Sequence, residues 1–349
     1  MLKSIFKILL YPISILYGLT LYIRNKFYDL QLFNSTQFNI PVISVGNLSL
    51  GGTGKTPHIE YLVKLLKDQN KIATISRGYK RNTKGFVLAN EQSTANDIGD
   101  EPLQFKTKFK NLIVAVDEKR VNGIKKVCEL HPTTNLILLD DAYQHRAVSR
   151  TTNILLSEYK HLYCDDFVIP SGRLREFKSG SKRADIIIVT KSPKNITDKE
   201  RKNILTKLAP KDYQSIYFTS VKYGKTTPFT LAAKNTPINN QKVILLTGIA
   251  KPSQLIKEVE STFHILKHLK YSDHHSFSKS DINHIINEYN QLKENNIIVI
   301  STEKDIMRLS LPTILKQLEQ IPIFYIPIEI EFSQNDKEAF DKKILKDVK

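Results

Sequence analysis

Ser44-Val45-Gly46-Asn47-Leu48-Ser49-Leu50-Gly51-Gly52-Thr53-Gly54-Lys55-Thr56-Pro57 is the stretch that decides how this chain of 349 residues folds. The apolar run Pro41-Val42-Ile43-Ser44-Val45 leads into it and predicts a short buried strand. Ile59, Leu62, Val63, Leu65 and Leu66 follow at helical spacing. Strand, Gly-rich loop, Lys-Thr and helix, in that order, form a phosphate-binding loop. Its glycines let the backbone turn tightly and aim N–H groups inward, and the helix start adds partial positive charge. Ser49, Leu50, Gly51, Gly52, Thr53, Gly54, Lys55 and Thr56 are thus the expected nucleotide contacts. Lys55 is expected to reach the outer phosphates, and the Thr56 hydroxyl to sit on Mg²⁺. One departure is visible: the usual pattern has Gly where this chain has Ser49.

Outward from the loop, strand-like and helix-like runs alternate. Residues 71–76 and 112–116 read as strands, as does Leu136-Ile137-Leu138-Leu139, which ends in Asp140-Asp141. Alternation of this kind predicts an α/β fold: a P-loop NTPase-like, mostly parallel sheet flanked by helices. Ligands in such sheets bind at the carboxyl ends of strands, where Asp140 and Asp141 fall. An apolar strand ending in Asp is the expected Mg²⁺ partner of a P-loop. As neighbours on a strand, the two should point to opposite faces. Further runs at 185–190, 216–220, 242–248 and 297–302 predict a smaller second α/β lobe. Pro228 and the polar stretch 234–241 mark a linker. The expected division is an N-terminal helix at 1–30, a P-loop core at 31–225 and a C-terminal lobe at 226–349.

The first segment stands apart. No charged residue occurs between Ile8 and Ile23, while Lys3, Lys7, Arg24 and Lys26 flank the run. The less apolar Ser4, Lys7, Tyr11, Ser14, Gly18, Tyr22 and Asn25 recur every three or four residues, on one stripe of a helix. The run is too short for a confident span, and no small-residue cleavage site follows, so a membrane-interface helix is expected. The net charge of +17 calls for an anionic partner: nucleic acid, an anionic membrane surface or a phosphorylated substrate. No helix-turn-helix, RNP-type or zinc motif supports nucleic acid. The two cysteines, Cys128 and Cys164, fit neither a disulfide framework nor a zinc site.

Phosphoryl transfer to an alcohol calls for a group that takes the hydroxyl proton. The candidates are Asp100, in Gly99-Asp100-Glu101-Pro102, and the Asp273-His274-His275 run. Arg77, Arg120, Arg173 and Arg175 near strand or loop ends offer forks for phosphate oxygens.

Taken together, the motifs resemble the tetraacyldisaccharide 4′-kinase family of lipid A synthesis. They are Val45-Gly46-Asn47 with the P-loop, Ser76-Arg77-Gly78-Tyr79, Gly99-Asp100-Glu101-Pro102 and Asp117 with Arg120 and Gly123. After these come Asp140-Asp141 with Gln144-His145, Leu174-Arg175-Glu176, Asp273-His274-His275 and Thr302-Glu303-Lys304-Asp305. The resemblance implies transfer of the γ-phosphoryl of ATP to the 4′-hydroxyl of a lipid A disaccharide 1-phosphate. It implies that Asp100 works with a histidine of the Asp273-His274-His275 run, His274 ahead of His275 but not to its exclusion, to activate that hydroxyl. Lys55 carries over as a phosphate ligand, with Thr56, Asp140 and Asp141 on the Mg²⁺ side. Asn47, Arg77, Tyr79, Arg120, Gln144, His145 and Arg175 match positions near the substrate. The apolar first helix looks like the family's membrane-contacting segment, which implies the cytoplasmic face of the bacterial inner membrane. Ala142 and Phe177 depart from the family's usual Gly and Pro. The alternative is a P-loop ATPase or GTPase switch acting on a protein partner, but neither Thr190-Lys191 nor residues 302–305 carries the Asn-Lys-x-Asp guanine pattern.

Overall fold

The computed structural model describes residues 2–238, 242–292, 296–333 and 336–349, with side chains from Leu9 onward. Lys3, Ser4 and Lys7 of the expected stripe therefore lie outside the described side chains, and 239–241 of the expected linker outside the described residues.

Among the described residues nine strands form the main sheet: β1 (Val42–Asn47), β2 (Ile72–Ser76), β3 (Val87–Leu88), β4 (Ile113–Val116), β5 (Leu136–Asp140), β6 (Thr152–Glu158), β7 (Ile186–Thr190), β8 (Ser215–Tyr223) and, from the far end of the chain, β14 (Ile328–Phe332). Between the last two, β9 (Thr227–Pro228), β10 (Lys242–Thr247), β11 (His264–Lys270), β12 (Ile297–Thr302) and β13 (Ile323–Ile326) build a second sheet. The main order is β14-β8-β7-β6-β1-β5-β2-β4-β3, parallel except at its two edges. The second order is β11-β10-β12-β13-β9, parallel except for β9. The apolar runs form parallel strands because helices cover both faces, so the central strands β1, β5 and β7 are buried at every residue. β1 lies between β5 and β6, where the order reverses, so the loop leaving it opens at the topological switch point.

The expected C-terminal lobe is shorter than 226–349. Its last strand pairs antiparallel with β8, and the helix Asp336–Asp347 returns to the main sheet. Aromatic packing gives the reason. Phe332 and Phe340 lie 4.7 Å apart and meet Tyr61 of the P-loop helix (Lys55–Leu66) and Tyr217 of β8. Returning the chain end buries these rings in the main core.

The first helix, Leu2–Asp29, is about 42 Å long at 1.5 Å per residue. Within the described part of the stripe, Ser14, Gly18 and Asn25 face the protein, while the Tyr11 and Tyr22 rings remain exposed. The Ser14 hydroxyl donates to Ser171 Oγ at 2.8 Å, and Asn25 donates to Glu176 at 2.7 Å. Gly18 lies against the Phe177 ring so closely that a Cβ there would fall 2.4 Å from Cζ. Leu9, Ile13, Ile15, Leu16, Leu19 and Ile23 are left on the outside. Among the described residues no helix is long and apolar enough to cross a membrane.

Candidate active site

The P-loop is braced from several sides. Leu50 N donates to Arg173 O at 2.7 Å, and Arg175 N to Leu48 O at 2.6 Å, so residues 173–175 run beside the loop like a short strand. The Asn47 side chain, at the end of β1, donates to Thr53 Oγ1 at 2.9 Å. Gly54 caps the helix at φ 91°, in the left-handed region that favours glycine. His58, one turn on, reaches back to Gly54 O at 2.7 Å. A carbonyl only accepts, so Nδ1 carries the hydrogen and Nε2 accepts from Thr219 Oγ1 at 3.2 Å. Burial holds this imidazole neutral, down to about 4.

Lys55 and Thr56 are both largely buried at the helix start. Lys55 Nζ lies 3.7 Å from Asp141 Oδ1. Asp140 ends β5 opposite Val45 and is fully buried; Asp141 leaves the strand at φ 47°. The two acids therefore differ by backbone conformation: only Asp140 belongs to the strand, so the expected alternation of strand faces does not apply to Asp141. The Arg175 guanidinium grips Asp141 with two bonds of 2.8 and 3.1 Å. Arg175, expected near the substrate, is thus engaged with a metal-side acid.

Three carboxylates and two lysines share this corner. Burial raises Asp140 to about 7, reinforced by the charges of Glu101 and Asp141 and opposed by Lys55. Burial works the same way on Asp141, but Lys55 and Arg175 outweigh it and hold the carboxyl below its usual range. At Glu101 burial is outweighed by Lys304 and Lys55, and its carboxyl sits at about 2. Lys304 Nζ donates to Glu101 at 2.7 Å. Glu101 sits in a motif quoted above, but its role was not read from sequence; its place directly after Asp100 was the available signal. Asp140 Oδ1 is buried without a hydrogen-bond partner. An orphaned carboxylate oxygen in a group that feels the charge of the P-loop Lys55 fits a hard cation such as Mg²⁺, which takes oxygen ligands.

The second lobe supplies the other wall. His274 Nδ1 is 3.0 Å from Asp100 Oδ2, which joins residues 174 positions apart. His275 turns away and pairs with Asp281 at 3.0 Å. Geometry thus separates two histidines that the sequence left adjacent. The Tyr79 ring, exposed, meets His274 edge-on at 5.3 Å, and Arg77 beside it is exposed. Arg120 is buried, its Nη1 donating to Asp117 O at 3.2 Å. Gln144 donates to Asn47 O at 3.0 Å and to Glu176 at 3.1 Å. Burial and the nearby Arg120, Arg150 and Arg24 push His145 down to about 4. Lys80, Asp141, Lys191 and His274 all have positive φ, 47–61°, and each is tied to the P-loop or the dyad by contacts. Such backbone strain concentrates at functional sites.

A P-loop at the switch point of a mostly parallel sheet, with an acid–histidine pair that joins Asp100 of the main lobe to His274 of the second, defines a P-loop nucleotide-binding protein of the phosphotransferase kind. The family described as Tetraacyldisaccharide-1-P 4′-kinase matches residues 6–349, and the chain belongs to that family. Among similar curated proteins, the tetraacyldisaccharide 4′-kinase of Flavobacterium johnsoniae is 44% identical, covering 98% of this chain and 97% of the relative. That of Phocaeicola vulgatus is 42% identical, covering 96% and 93%. A crystal structure of the "apo" form of LpxK from Aquifex aeolicus in complex with ATP matches over 100% of both chains, at 25% identity and a TM-score of 0.75.

Proposed function

We propose that this protein transfers the γ-phosphoryl group of ATP to the 4′-hydroxyl of a tetraacyldisaccharide 1-phosphate, a lipid A precursor. The observation that carries the reading is the 3.0 Å pairing of Asp100 with His274 across the two lobes, on the side where Lys55, Asp140 and Asp141 converge. Family membership supports the same reaction.

The P-loop N–H groups and the helix start receive the phosphates of ATP. Lys55 leaves Asp141 for the outer phosphate oxygens. Thr56, Asp140 and Asp141 would hold Mg²⁺. The ion neutralises charge on the β- and γ-phosphates when bound. No group of three or more His, Cys, Asp or Glu among the described residues forms a cage of its own. That suits Mg²⁺, which takes one or two carboxylates and completes its shell with phosphate and water.

With Asp100 as a carboxylate, His274 donates from Nδ1 and keeps the Nε2 lone pair for the hydroxyl proton. The freed oxygen bonds to the γ-phosphorus, and the bond from that phosphorus to the β–γ bridging oxygen breaks. Asp100 stabilises the cationic imidazole. Asn47, Arg77, Tyr79, Arg120, Gln144, His145 and Arg175 are the residues assigned to the acceptor side: Arg77 and Tyr79 by direct contact from their exposed positions, buried Asn47 and Arg120 and half-buried Gln144, His145 and Arg175 as its frame.

The acceptor is a lipid. The exposed apolar face of the first helix is suited to lie in the interface of the anionic inner leaflet, on the cytoplasmic face of the inner membrane. The +17 charge draws the protein to that surface. Nucleic acid is not expected as a partner. The test is incubation with labelled ATP and Mg²⁺ against a lipid A precursor, nucleosides and RNA. Phosphorylation of the disaccharide alone is expected, and Lys55→Ala and Asp100→Ala should each abolish it in folded protein. Rates near wild type in either variant remove that residue's role. Hydrolysis stimulated by RNA and indifferent to lipid overturns the reading.

A further inference from the structure

The run Thr302-Glu303-Lys304-Asp305 takes no part in the reaction derived above, yet its charged side chains all end on the Asp100 helix (Asp100–Lys108) or on what holds it. Glu303 accepts from Gln104 and Lys108, both at 3.1 Å, and Lys304 donates to Glu101 at 2.7 Å. Asp305 accepts from Arg308 at 2.7 Å, and Arg308 faces Asp100. Resting on the Asp100–His274 assignment above, we infer that Arg308 is a positioning residue, which fixes the Asp100 carboxylate in line with His274.

The guanidinium is buried, and the second lobe supplies hydrogen-bond acceptors for all three of its nitrogens. Nη2 donates to Asp305 Oδ1 at 2.7 Å and to Gly248 O at 3.3 Å; Nη1 donates to His275 O at 3.1 Å. Asp305 is itself fixed by Gly248 N at 3.0 Å and the Thr302 hydroxyl at 2.6 Å. Nε donates to Lys304 O at 3.4 Å and also forms an ion pair with Asp100 Oδ2, 3.4 Å away, the oxygen that meets His274 Nδ1. Arg308 therefore orients two things at once: the carboxylate, through Nε, and the backbone that carries His274, through the carbonyl of the next residue. A planar fork with three fixed directions can do this; a lysine cannot. Arg308 has no contact with the P-loop, so its effect should pass through the dyad alone.

The experiment uses the full chain with Arg308→Lys and Arg308→Ala, assayed with labelled ATP and the lipid acceptor. The expected result is a fall in kcat of about 10–100-fold with KM for ATP within about twofold, because alignment is lost and nucleotide binding is not. Arg308→Lys keeps a cation beside buried Asp305, so it decides the matter if the alanine variant fails to fold; thermal melting checks this. In single turnover, adding Arg308→Lys to Asp100→Asn should cost less than about twofold more, since residues acting as a unit are not additive. Wild-type kcat in folded Arg308→Lys, a loss confined to KM for ATP, or full additivity with Asp100→Asn would each overturn the inference. A wild-type rate for Asp100→Asn alone would instead remove the dyad assignment, which separates the two failures.

Discussion

His58 offers a prediction whose size follows from its surroundings. It is fully buried beneath the P-loop, with Nδ1–H on Gly54 O and Nε2 on the Thr219 hydroxyl. Charging it would place a cation without a carboxylate partner at the positive end of a helix, so it titrates near 4 in the folded protein against 6.5 in the unfolded chain. The unfolded state therefore takes up the proton first. The stability that His58 contributes is fully present above about pH 6.5 and is lost as pH falls toward 4. Between pH 7 and pH 4.5 the linkage relation gives a loss of roughly 2–3 kcal/mol from this one side chain. The perturbation is His58→Asn, whose side-chain amide can still donate to Gly54 O but has nothing to titrate. Urea unfolding of both proteins at pH 7 and pH 4.5 measures the effect. The wild-type drop should exceed the variant's by that amount, whatever other groups contribute to both. His145, also pushed down, is such a group, since it remains in both proteins. Equal drops in the two proteins would refute the burial argument, and a larger drop in the variant would refute its sign.

Three further outcomes follow from other parts of the molecule. Lys108→Met should cost about 3 kcal/mol at pH 8, because Glu60 and Glu303 are buried against the amine; burial raises both carboxyls, so the cost should shrink toward pH 5, as read by urea unfolding. Leu9→Glu with Leu16→Glu should release the protein from anionic vesicles in a sedimentation assay without changing its melting temperature, since both side chains point away from the body. Gly18→Val should loosen the first helix, because its Cβ must displace the Phe177 ring; faster proteolysis between that helix and β1 reads the change, at a cost of about 1–3 kcal/mol.

Much of the site was legible as chemistry at fixed spacing. The P-loop needs glycine at defined positions and Lys-Thr directly after, and local backbone geometry imposes this before any tertiary contact forms. Strand ends were legible because buried parallel strands are apolar throughout, so Asp140 marks where the apolar run stops. Residues that act through a partner were harder to read. Arg175 carries the same side chain whether it meets a phosphate or Asp141, and only the path of residues 173–175 beside the P-loop gives it the acid. Arg308 and His58 carry no sequence pattern at all.

The chain's own order of residues determined the α/β class, the nucleotide loop, the paired acids at the end of β5 and the apolar first helix, because each depends on residues near one another in sequence. Tertiary structure alone decided the rest. It returned residues 328–333 and 336–347 to the main sheet to bury Phe332 and Phe340. It turned the small-residue stripe of the first helix inward, because Gly18 and Ser14 permit close approach where leucine would not. It chose His274 over His275, since the left-handed turn at His274 directs one ring to Asp100 and leaves the other to Asp281. Partners 174 residues apart are set by how two lobes pack, and no local pattern records that distance.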